Sequence, residues 1–313
     1  MDFRPHPLLR GPHAQTIFGS LIPAPKLAET GEEHRVSLAD GDQLSIWQHV
    51  GDQPVLVHLW HGLGGHAASS YMMRVAGALI GQGYGVLRCN HRGCGSGRGL
   101  ARGLYHSGRS DDLARVLQWA RDRWPNQRHL MVGFSLSGNA LLLLLGRDQT
   151  ALPDGALAIN APLDLADCAN RLHLGLNRIY DFRFTYLCKQ AVRQRIQVGY
   201  DLPKPNGIRH LKQFDAEITA PVAGFKDRAH YYETCSSGPW LPKIQTPTIC
   251  LHAQDDPLIP ADLWQRFKRA DSVQLELAAG GGHMGYWQAG QTPLGGHRWL
   301  EYAALHHLKS LAK

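Results

Sequence analysis

The sequence predicts an α/β protein, with a mostly parallel central sheet flanked by helices and one inserted helical segment. The apolar run at residues 55–60 is typical of a strand that is buried on both faces. Strand-like and helix-like stretches alternate along most of the chain, as parallel strands joined by right-handed crossovers require. The 313 residues, 43% of them hydrophobic, suffice for one large core, so we expect a single domain over residues 1–313.

The predicted elements follow in chain order. Two β-prone stretches within residues 34–50 flank Asp40-Gly41, a dipeptide favoured in type I′ turns, and predict an antiparallel hairpin. Apolar residues at helical spacing predict a helix after residue 60 and another with Ser110 as its N-cap. The other predicted strands are 55–60, 84–90, 128–133, 156–161, 248–253 and 273–278, and the other predicted helices are 136–146, 261–269 and 297–311.

The alternation stops over residues 163–243. Aromatic residues such as Tyr180, Phe182 and Trp240 occur there among arginines and lysines. This amphipathic composition favours an inserted helical cap, or lid, laid over one end of the sheet. The alternative is a helical excursion that has no role in binding.

One strand-to-helix junction carries a candidate nucleophile. Residues 133–138, with the sequence GFSLSG, lie where a buried strand is expected to turn directly into a helix. A serine in such a turn projects its hydroxyl from the carboxyl edge of the sheet, so Ser135 is the candidate nucleophile. The usual pattern is G-x-S-x-G, and here Ser137 replaces the second glycine. The alternative is a tight turn whose serine only caps the helix.

A serine nucleophile needs a histidine base and an acid that orients the histidine. Asp255 and Asp256 come just after the strand 248–253, and we prefer Asp256, directly before Pro257, as the acid. Asp255 then has a capping or supporting role. His283 follows the next strand in a glycine-rich loop and completes the order serine, acid, histidine. The sequence therefore predicts a catalytic triad of Ser135, Asp256 and His283.

A glycine-rich stretch at residues 61–65 follows the strand 55–60. It lacks the lysine of a P-loop and the spacing of a dinucleotide-binding fingerprint. In this position the backbone N–H of Leu63 can join that of Leu136 in an oxyanion hole. Such chemistry needs no cofactor.

Two other candidate sites are less favoured. His58, His61 and His66 make a poor metal site, because His58 lies in mid-strand and no acidic residue stands nearby in the sequence. Cys94 has no specific activating partner, so a structural role is favoured. We therefore expect neither a metal nor a cofactor.

Composition bounds the location and the partners. The longest apolar run, residues 140–145, is too short to cross a bilayer, and residues 1–15 lack the apolar core of a signal peptide, so we expect a cytoplasmic protein. The six cysteines form no C-x-x-C pair, which favours reduced thiols. The net charge of +7 favours a mildly basic solvated face over a binding patch for anionic lipid or nucleic acid. Peripheral membrane contact and the oligomeric state stay open.

Several short motifs together resemble one family, the YheT-like branch of the α/β-hydrolases. Their order and spacing, over almost the whole chain, are specific. The motifs are residues 12–17 (PHAQTI), 61–65 (HGLGG), 90–94 (NHRGC), 105–108 (YHSG), 133–136 (GFSL), 225–227 (FKD), 255–257 (DDP) and 281–283 (GGH). The sequence departs from the family at Ser137, where glycine is normal, and at His91, where an aromatic such as phenylalanine is usual.

This resemblance implies an α/β-hydrolase fold and a serine hydrolase that acts on small carboxylic esters, with short- to medium-chain acyl groups, through an acyl-enzyme. It implies Ser135 as nucleophile, Asp256 as acid and His283 as base. Relatives include lipases, phospholipases and alcohol acyltransferases. An acyltransferase or a lipid or phospholipid hydrolase on the same triad, and a weakly active acyl-binding protein, are therefore the alternatives.

Overall fold

One mixed sheet forms the centre of the molecule. The computed structural model describes residues 1–24, 26–27 and 30–313, and within them eight strands pair into this sheet. The strands are β1 (Glu32–Ser37), β2 (Gln43–His49), β3 (Val55–Trp60), β4 (Gly85–Cys89), β5 (Arg128–Phe134), β6 (Gly155–Ile159), β7 (Thr248–Ala253) and β8 (Val273–Ala278). Their order is β1-β2-β4-β3-β5-β6-β7-β8. The first two pairs, β1 with β2 and β2 with β4, are antiparallel, and all the others are parallel. The predicted α/β class with a mostly parallel sheet is confirmed.

Helices connect the strands. Within the described residues the α-helices are α1 (Pro12–Leu21), α2 (Ser70–Ile80), α3 (Ser110–Arg123), α4 (Leu136–Leu143), α5 (Leu165–Leu172), α6 (Arg178–Gln197), α7 (Leu211–Phe214), α8 (Ala220–Val222), α9 (Arg228–Cys235), α10 (Leu263–Arg266) and α11 (Trp299–Leu311). In this part of the chain no helix is long and apolar enough to span a membrane.

Both faces of the sheet are covered, because alternate side chains of a buried strand point to opposite sides. On one face Val57 and Leu59 of β3 share a core with α2 and α11. On the other face Leu56 and Trp60 of β3 share a core with α3 and α4. All six residues of β3 are therefore buried.

Most local predictions agree with these elements, and β7 and β8 match the predicted strands to the residue. The predicted type I′ turn is wrong: of Asp40-Gly41 only Gly41 has a positive φ, 87°, and the connection spans residues 38–42. Ser110 is not an N-cap, because α3 already begins at Ser110. The helix expected over residues 261–269 shrinks to the single turn α10, and α1 was not predicted.

The chain leaves the sheet between β6 and β7. Residues 163–243, the predicted insertion, hold α5 to α9. Asp164 and Asp227 start two of these helices as N-caps, since their carboxylates accept hydrogen bonds from backbone N–H groups at the third residue beyond. We refer to residues 163–243 as the insertion.

A buried arginine ties the hairpin to the end of β4. The guanidinium of Arg92 donates two hydrogen bonds of 2.7 Å to Asp112 in α3, and it also donates to Asp40 and Asp42 in the hairpin connection. Burial by itself lowers the pKa of Arg92, but the carboxylates outweigh burial and raise it, so the guanidinium stays charged. This network fixes the position of residues 90–94.

Two histidines are paired inside the sheet. His58 in β3 is fully buried, and its Nε2 lies 3.1 Å from Nδ1 of His129 in β5. Burial, with a further contribution from His129, lowers the pKa of His58 well below its ordinary value. His58 is therefore neutral in the folded protein at pH values where it is protonated in the unfolded chain.

This difference predicts a loss of stability in acid. The unfolded chain binds a proton at His58 below about pH 6.5 and the folded chain does not, so the free energy of unfolding falls as the pH drops through that value. For His58 alone the loss between pH 7.5 and pH 5 is about 2 kcal/mol. Urea unfolding of His58→Leu at the two pH values should show a pH dependence that is smaller by this amount.

The matched control is His306→Leu, because His306 is exposed on α11. This variant should keep the pH dependence of the parent chain. An unchanged pH dependence in His58→Leu would contradict the assignment of a neutral buried imidazole.

Candidate active site

Ser135 occupies a strained turn and is the only residue between β5 and α4. Its backbone has φ 53° and ψ −116°. The turn leaves no space for side chains at the flanking glycines: a Cβ on Gly133 would collide with the carbonyl of Ser137, and one on Gly138 would lie 2.9 Å from Cβ of Ala161. A positive φ costs a non-glycine residue about 1–3 kcal/mol. The packing around the turn therefore holds Ser135 in place.

The structure brings the three residues of the predicted triad together. Nε2 of His283 lies 2.9 Å from Oγ of Ser135, and Nδ1 of His283 lies 2.8 Å from Oδ2 of Asp256. The three residues follow β5, β7 and β8, and parallel strands present their carboxyl ends at the same edge of the sheet. A chain of hydrogen bonds thus runs from a buried carboxylate through an imidazole to a hydroxyl.

Asp256 is buried and accepts several hydrogen bonds. Its Oδ1 accepts from the backbone N–H groups of Leu258 and Ile259 at 2.8 and 3.0 Å, and its Oδ2 also accepts from Nδ2 of Asn160 at 2.6 Å. Burial by itself raises the pKa of Asp256, but His283 and the other donors outweigh burial and hold the pKa below its ordinary value. The carboxylate is therefore ionised at neutral pH and can keep a proton on Nδ1 of His283.

Asp255, the other candidate acid, has a different partner. Its Oδ1 accepts the backbone N–H of Gly282 at 2.8 Å, and burial raises the pKa of Asp255. Of the two adjacent carboxylates, Asp256 contacts the imidazole of His283 and Asp255 anchors the loop that carries it.

Three further residues hold this arrangement and had no role in the sequence analysis. Oγ1 of Thr16 in α1 accepts the backbone N–H of His283 at 2.8 Å. Asn160, directly after β6, has a positive φ of 48° and accepts from the hydroxyl of Tyr286 at 2.7 Å, while its amide donates to Asp256. Thr16 belongs to the motif at residues 12–17, which was the available signal, whereas no motif marks Asn160 or Tyr286.

The loop after β3 passes directly over Ser135. A Cβ on Gly62 would lie 3.1 Å from Cβ of Ser135. The hydroxyl of Tyr71 accepts the N–H of Gly62 at 2.9 Å, and the hydroxyl of Tyr105 accepts the N–H of Gly64 at 2.7 Å. Two tyrosines therefore fix this loop from both sides.

Leu63 and Leu136, the predicted oxyanion-hole residues, both border the cavity at Ser135. Among the residues that the structure describes, neither backbone N–H donates a hydrogen bond. Two unengaged N–H groups beside a nucleophile can stabilise a developing negative charge.

The cavity at Ser135 extends beneath the insertion and has mostly apolar walls. From α5 and α6 it is lined by Leu165, Cys168, Ala169, Leu172, Phe184, Cys188 and Ala191. Asp215 also lines it, and it accepts hydrogen bonds from Thr219 and Tyr232 at 2.7 and 2.8 Å. Burial raises the pKa of Asp215 to about 6. An apolar group of a substrate can therefore extend from Ser135 between the sheet and the insertion.

Comparison with models of protein families identifies the chain. The model of the alpha/beta hydrolase family matches residues 55–292, which include Ser135, Asp256 and His283. The chain belongs to this family.

This α/β hydrolase is 30% identical to the Escherichia coli protein named "Putative esterase YheT", over 92% of this chain and 87% of the relative, and the predicted YheT-like branch is confirmed. It is also 30% identical to a monoacylglycerol lipase of Saccharomyces cerevisiae, over 82% of this chain and 59% of that protein. The solved structure of the Pyrococcus furiosus esterase Pf2001 has a TM-score of 0.60 and 16% identity, covers 93% of this chain and 98% of its own, and shows the shared fold.

Ser137 and His91, the two positions at which the resemblance leads us to expect other residues, contact each other. The buried hydroxyl of Ser137 donates to the carbonyl of His61, and Nε2 of His91 lies 2.6 Å from that hydroxyl. Since the proton of Ser137 is engaged, His91 is the donor in this second bond. The backbone N–H of His91 in turn donates to Nε2 of His61 at 3.1 Å, and Nδ1 of His61 donates to the carbonyl of Gly62. Ser137 and His91 thus brace the loop that carries Leu63.

The other nucleophile and ligand candidates have structural partners. His58 pairs with His129, His61 is engaged as described above, and Nδ1 of His66 accepts the backbone N–H of Ala68. In the described part of the chain no three His, Cys, Asp or Glu side chains converge as metal ligands. Burial raises the pKa of Cys94 to about 12, so this cysteine stays a thiol.

The Ser137–His91 contact predicts an asymmetric double-mutant cycle. Ser137→Gly leaves the ring Nε2–H of His91 and the carbonyl of His61 buried without partners. This substitution should lower the free energy of unfolding by about 2–4 kcal/mol. His91→Phe leaves the bond from Ser137 to His61 intact and should cost less. Adding His91→Phe to Ser137→Gly removes the unpaired donor and should restore about 1–2 kcal/mol. Urea unfolding measures all three variants.

The control for the introduction of glycine into a helix is Ser310→Gly, because Ser310 is exposed on α11. It should cost no more than about 1 kcal/mol. Additive effects of the two substitutions at residues 91 and 137 would show that these side chains are not coupled.

Proposed function

We propose that this chain hydrolyses carboxylic esters through an acyl-enzyme formed on Ser135. The observation that carries the proposal is the hydrogen-bonded series Asp256, His283 and Ser135, which ends at an apolar cavity. The names of two relatives, an esterase and a monoacylglycerol lipase, support ester chemistry. The enzyme needs no cofactor for this reaction, because the side chains supply nucleophile, base and acid.

In the first half-reaction His283 removes the proton of Ser135 while Oγ attacks the ester carbonyl. The electron pair of the C=O π bond moves to the carbonyl oxygen, and the resulting oxyanion accepts hydrogen bonds from the N–H groups of Leu63 and Leu136. The intermediate collapses, the C–O bond to the alcohol breaks, and His283 returns the proton to the departing alkoxide. Asp256 stays ionised and stabilises the imidazolium that forms in between.

In the second half-reaction water takes the place of the alcohol. His283 removes a proton from water as the oxygen attacks the acyl carbon, the same N–H groups hold the oxyanion, and Ser135 leaves with the proton from His283. The products are a carboxylic acid, an alcohol and the free enzyme.

The walls of the cavity support esters with an apolar acyl group, and the short to medium length is the one that the resemblance implies. Leu172 and Phe184 of the insertion border it, and Leu258 borders it beside Asp256. Transfer of such a group from water into apolar surroundings gains about 0.8 kcal/mol for each buried CH₂. The insertion would then act as a cap over the acyl group.

The catalytic roles predict unequal effects at the two adjacent aspartates. Ser135→Ala should abolish turnover of p-nitrophenyl butyrate. Asp256→Asn should lower kcat about 10⁴-fold, because the amide disfavours the required tautomer of His283. Asp255→Asn is the matched control: it removes a carboxylate that contacts only the loop, and should lower kcat about tenfold or less. Equal losses at residues 255 and 256 would contradict these roles.

The cavity predicts that kcat/KM depends on the length of the acyl group and that the side chain at position 191 limits this length. Ala191 lines the cavity from α6, so Ala191→Phe should fill part of the acyl space. Across p-nitrophenyl esters from acetate to palmitate, the variant should lose about tenfold or more in kcat/KM for the longer preferred esters and about twofold or less for acetate. Ala166→Phe, on the exposed side of α5, is the matched control and should keep the parent profile. An equal loss of kcat/KM on every ester in Ala191→Phe would place the acyl group elsewhere.

Acyl transfer is measured separately, as the amount of ethyl ester that forms when ethanol is added.

A further inference from the structure

The longest helix of the insertion, α6, is apolar on two opposite faces. Its inner face lines the cavity with Phe184, Cys188, Ala191 and Arg195. At about 100° per residue, Ile179, Phe182 and Tyr186 fall on the opposite side of the helix. A surface helix normally turns one apolar face to the core and a polar face to water. The outer face of α6 departs from this pattern.

The apolar side chains of this outer face are in contact with solvent. Ile179 is 62% exposed, Phe182 70% and Tyr186 51%. Just before the helix, Leu174 and Leu176 are 64% and 65% exposed. Single exposed apolar residues are ordinary, but a contiguous group marks an interaction surface. We name these five side chains the outer patch.

Positively charged side chains flank the outer patch. Arg178 and Arg183 are exposed, and the helical period places them on either side of the apolar stripe. Asp181 is the one acidic residue in residues 174–186; it is buried and accepts hydrogen bonds from His173 and from the backbone of Leu211. The exposed surface of this segment therefore combines apolar and cationic side chains without an anion.

The outer patch lies beside the loops of the candidate active site. Asn177, between Leu176 and Arg178, donates to the carbonyl of Pro257 at 2.6 Å, next to Asp256. Tyr180 stacks on His13 of α1, with its hydroxyl 3.1 Å from Nδ1. The helix α1 also positions the histidine loop through Thr16.

We propose that the outer patch docks on an anionic lipid bilayer and so brings the cavity to esters held in that bilayer. Apolar side chains of an interfacial helix enter the boundary between headgroups and acyl chains, while flanking arginines extend to anionic headgroups. The charge disfavours a second copy of this chain, because two such faces would bring Arg178 and Arg183 against like charges. The choice of substrate rests on the proposed function, whereas the docking does not.

The test uses the Ser135→Ala chain, which cannot turn over lipid, in flotation with phosphatidylcholine vesicles that contain or lack phosphatidylglycerol. The chain should float with the anionic vesicles and much less with the neutral ones. Arg178→Glu with Arg183→Glu should weaken partitioning about 30-fold or more, from the loss of two basic contacts. Ile179→Ser with Phe182→Ser should weaken it about tenfold or more.

Two matched controls separate the outer patch from general surface effects. Val50→Ser removes an apolar side chain that is 81% exposed elsewhere, and Lys268→Glu reverses an exposed charge elsewhere. Both should partition like the parent chain. Absence of flotation, or equal loss in patch and control variants, overturns the proposal. A dimer in sedimentation velocity that Phe182→Ser dissociates, without vesicle binding, would instead assign the patch to an interface between copies.

The proposed function fails separately. Hydrolysis of soluble p-nitrophenyl butyrate by the chain with Ser135 intact does not require a bilayer, so the patch variants should keep it within about twofold. Flotation that depends on the outer patch, with no hydrolysis of any ester, would support the docking proposal and contradict the proposed ester hydrolysis. Hydrolysis without flotation would support the proposed function and contradict the docking proposal.

Discussion

The strained turn at Ser135 is the constraint on which the site depends. A residue between a central strand and a helix can keep this conformation only if its neighbours are fixed, and the N–H of Ser135 is held by the carbonyl of Ile159 at 2.8 Å. The turn lifts the hydroxyl above the carboxyl edge of the sheet. The strands β3, β6, β7 and β8 all run parallel to β5. The loops after β3, β7 and β8 therefore lie at the same edge of the sheet as Ser135. The conformation of Ser135 thus sets where His283, with its partner Asp256, and the loop that carries Leu63 must lie to contact its side chain.

The same tight turn places the hydroxyl of Ser137 where it bonds to both His61 and His91. The side chain of Ser137 is fully buried beside the turn, and a buried hydroxyl without partners costs about 1–3 kcal/mol. Its proton is taken by the carbonyl of His61 and its lone pair by His91, so two departures from the family form a single interaction. This interaction also reaches the loop that carries Leu63. The side chain at position 137 is therefore linked to the loop after β3 and does not act on α4 alone.

The sequence was informative where short stretches carry their own pattern. Buried strands such as β3 are nearly continuous apolar runs. Ser135, Asp256 and His283 each follow a strand that the sequence pattern predicts, so their place at one edge of the sheet could be predicted. The supporting roles of Thr16 and Asn160 could not be predicted, because neither residue belongs to the serine, acid and histidine pattern and each acts on a partner more than 90 residues away in the chain. The bounds of α6 could not be predicted from periodicity, since this helix is apolar on two faces and shows no single stripe.

The two faces of α6 connect the cavity to the surface of the protein. The start of the helix is held through Asn177 and Tyr180, and near its end the guanidinium of Arg195 donates to the carbonyls of Arg92 and Gly103 at 2.5 and 3.2 Å. Burial of a guanidinium is costly unless its N–H groups are bonded, so this contact fixes the helix firmly against the loop after β4. A helix that is anchored at both ends keeps its position relative to the sheet. A bilayer bound to its outer face would therefore orient the cavity toward the lipid without displacing the wall that α6 provides.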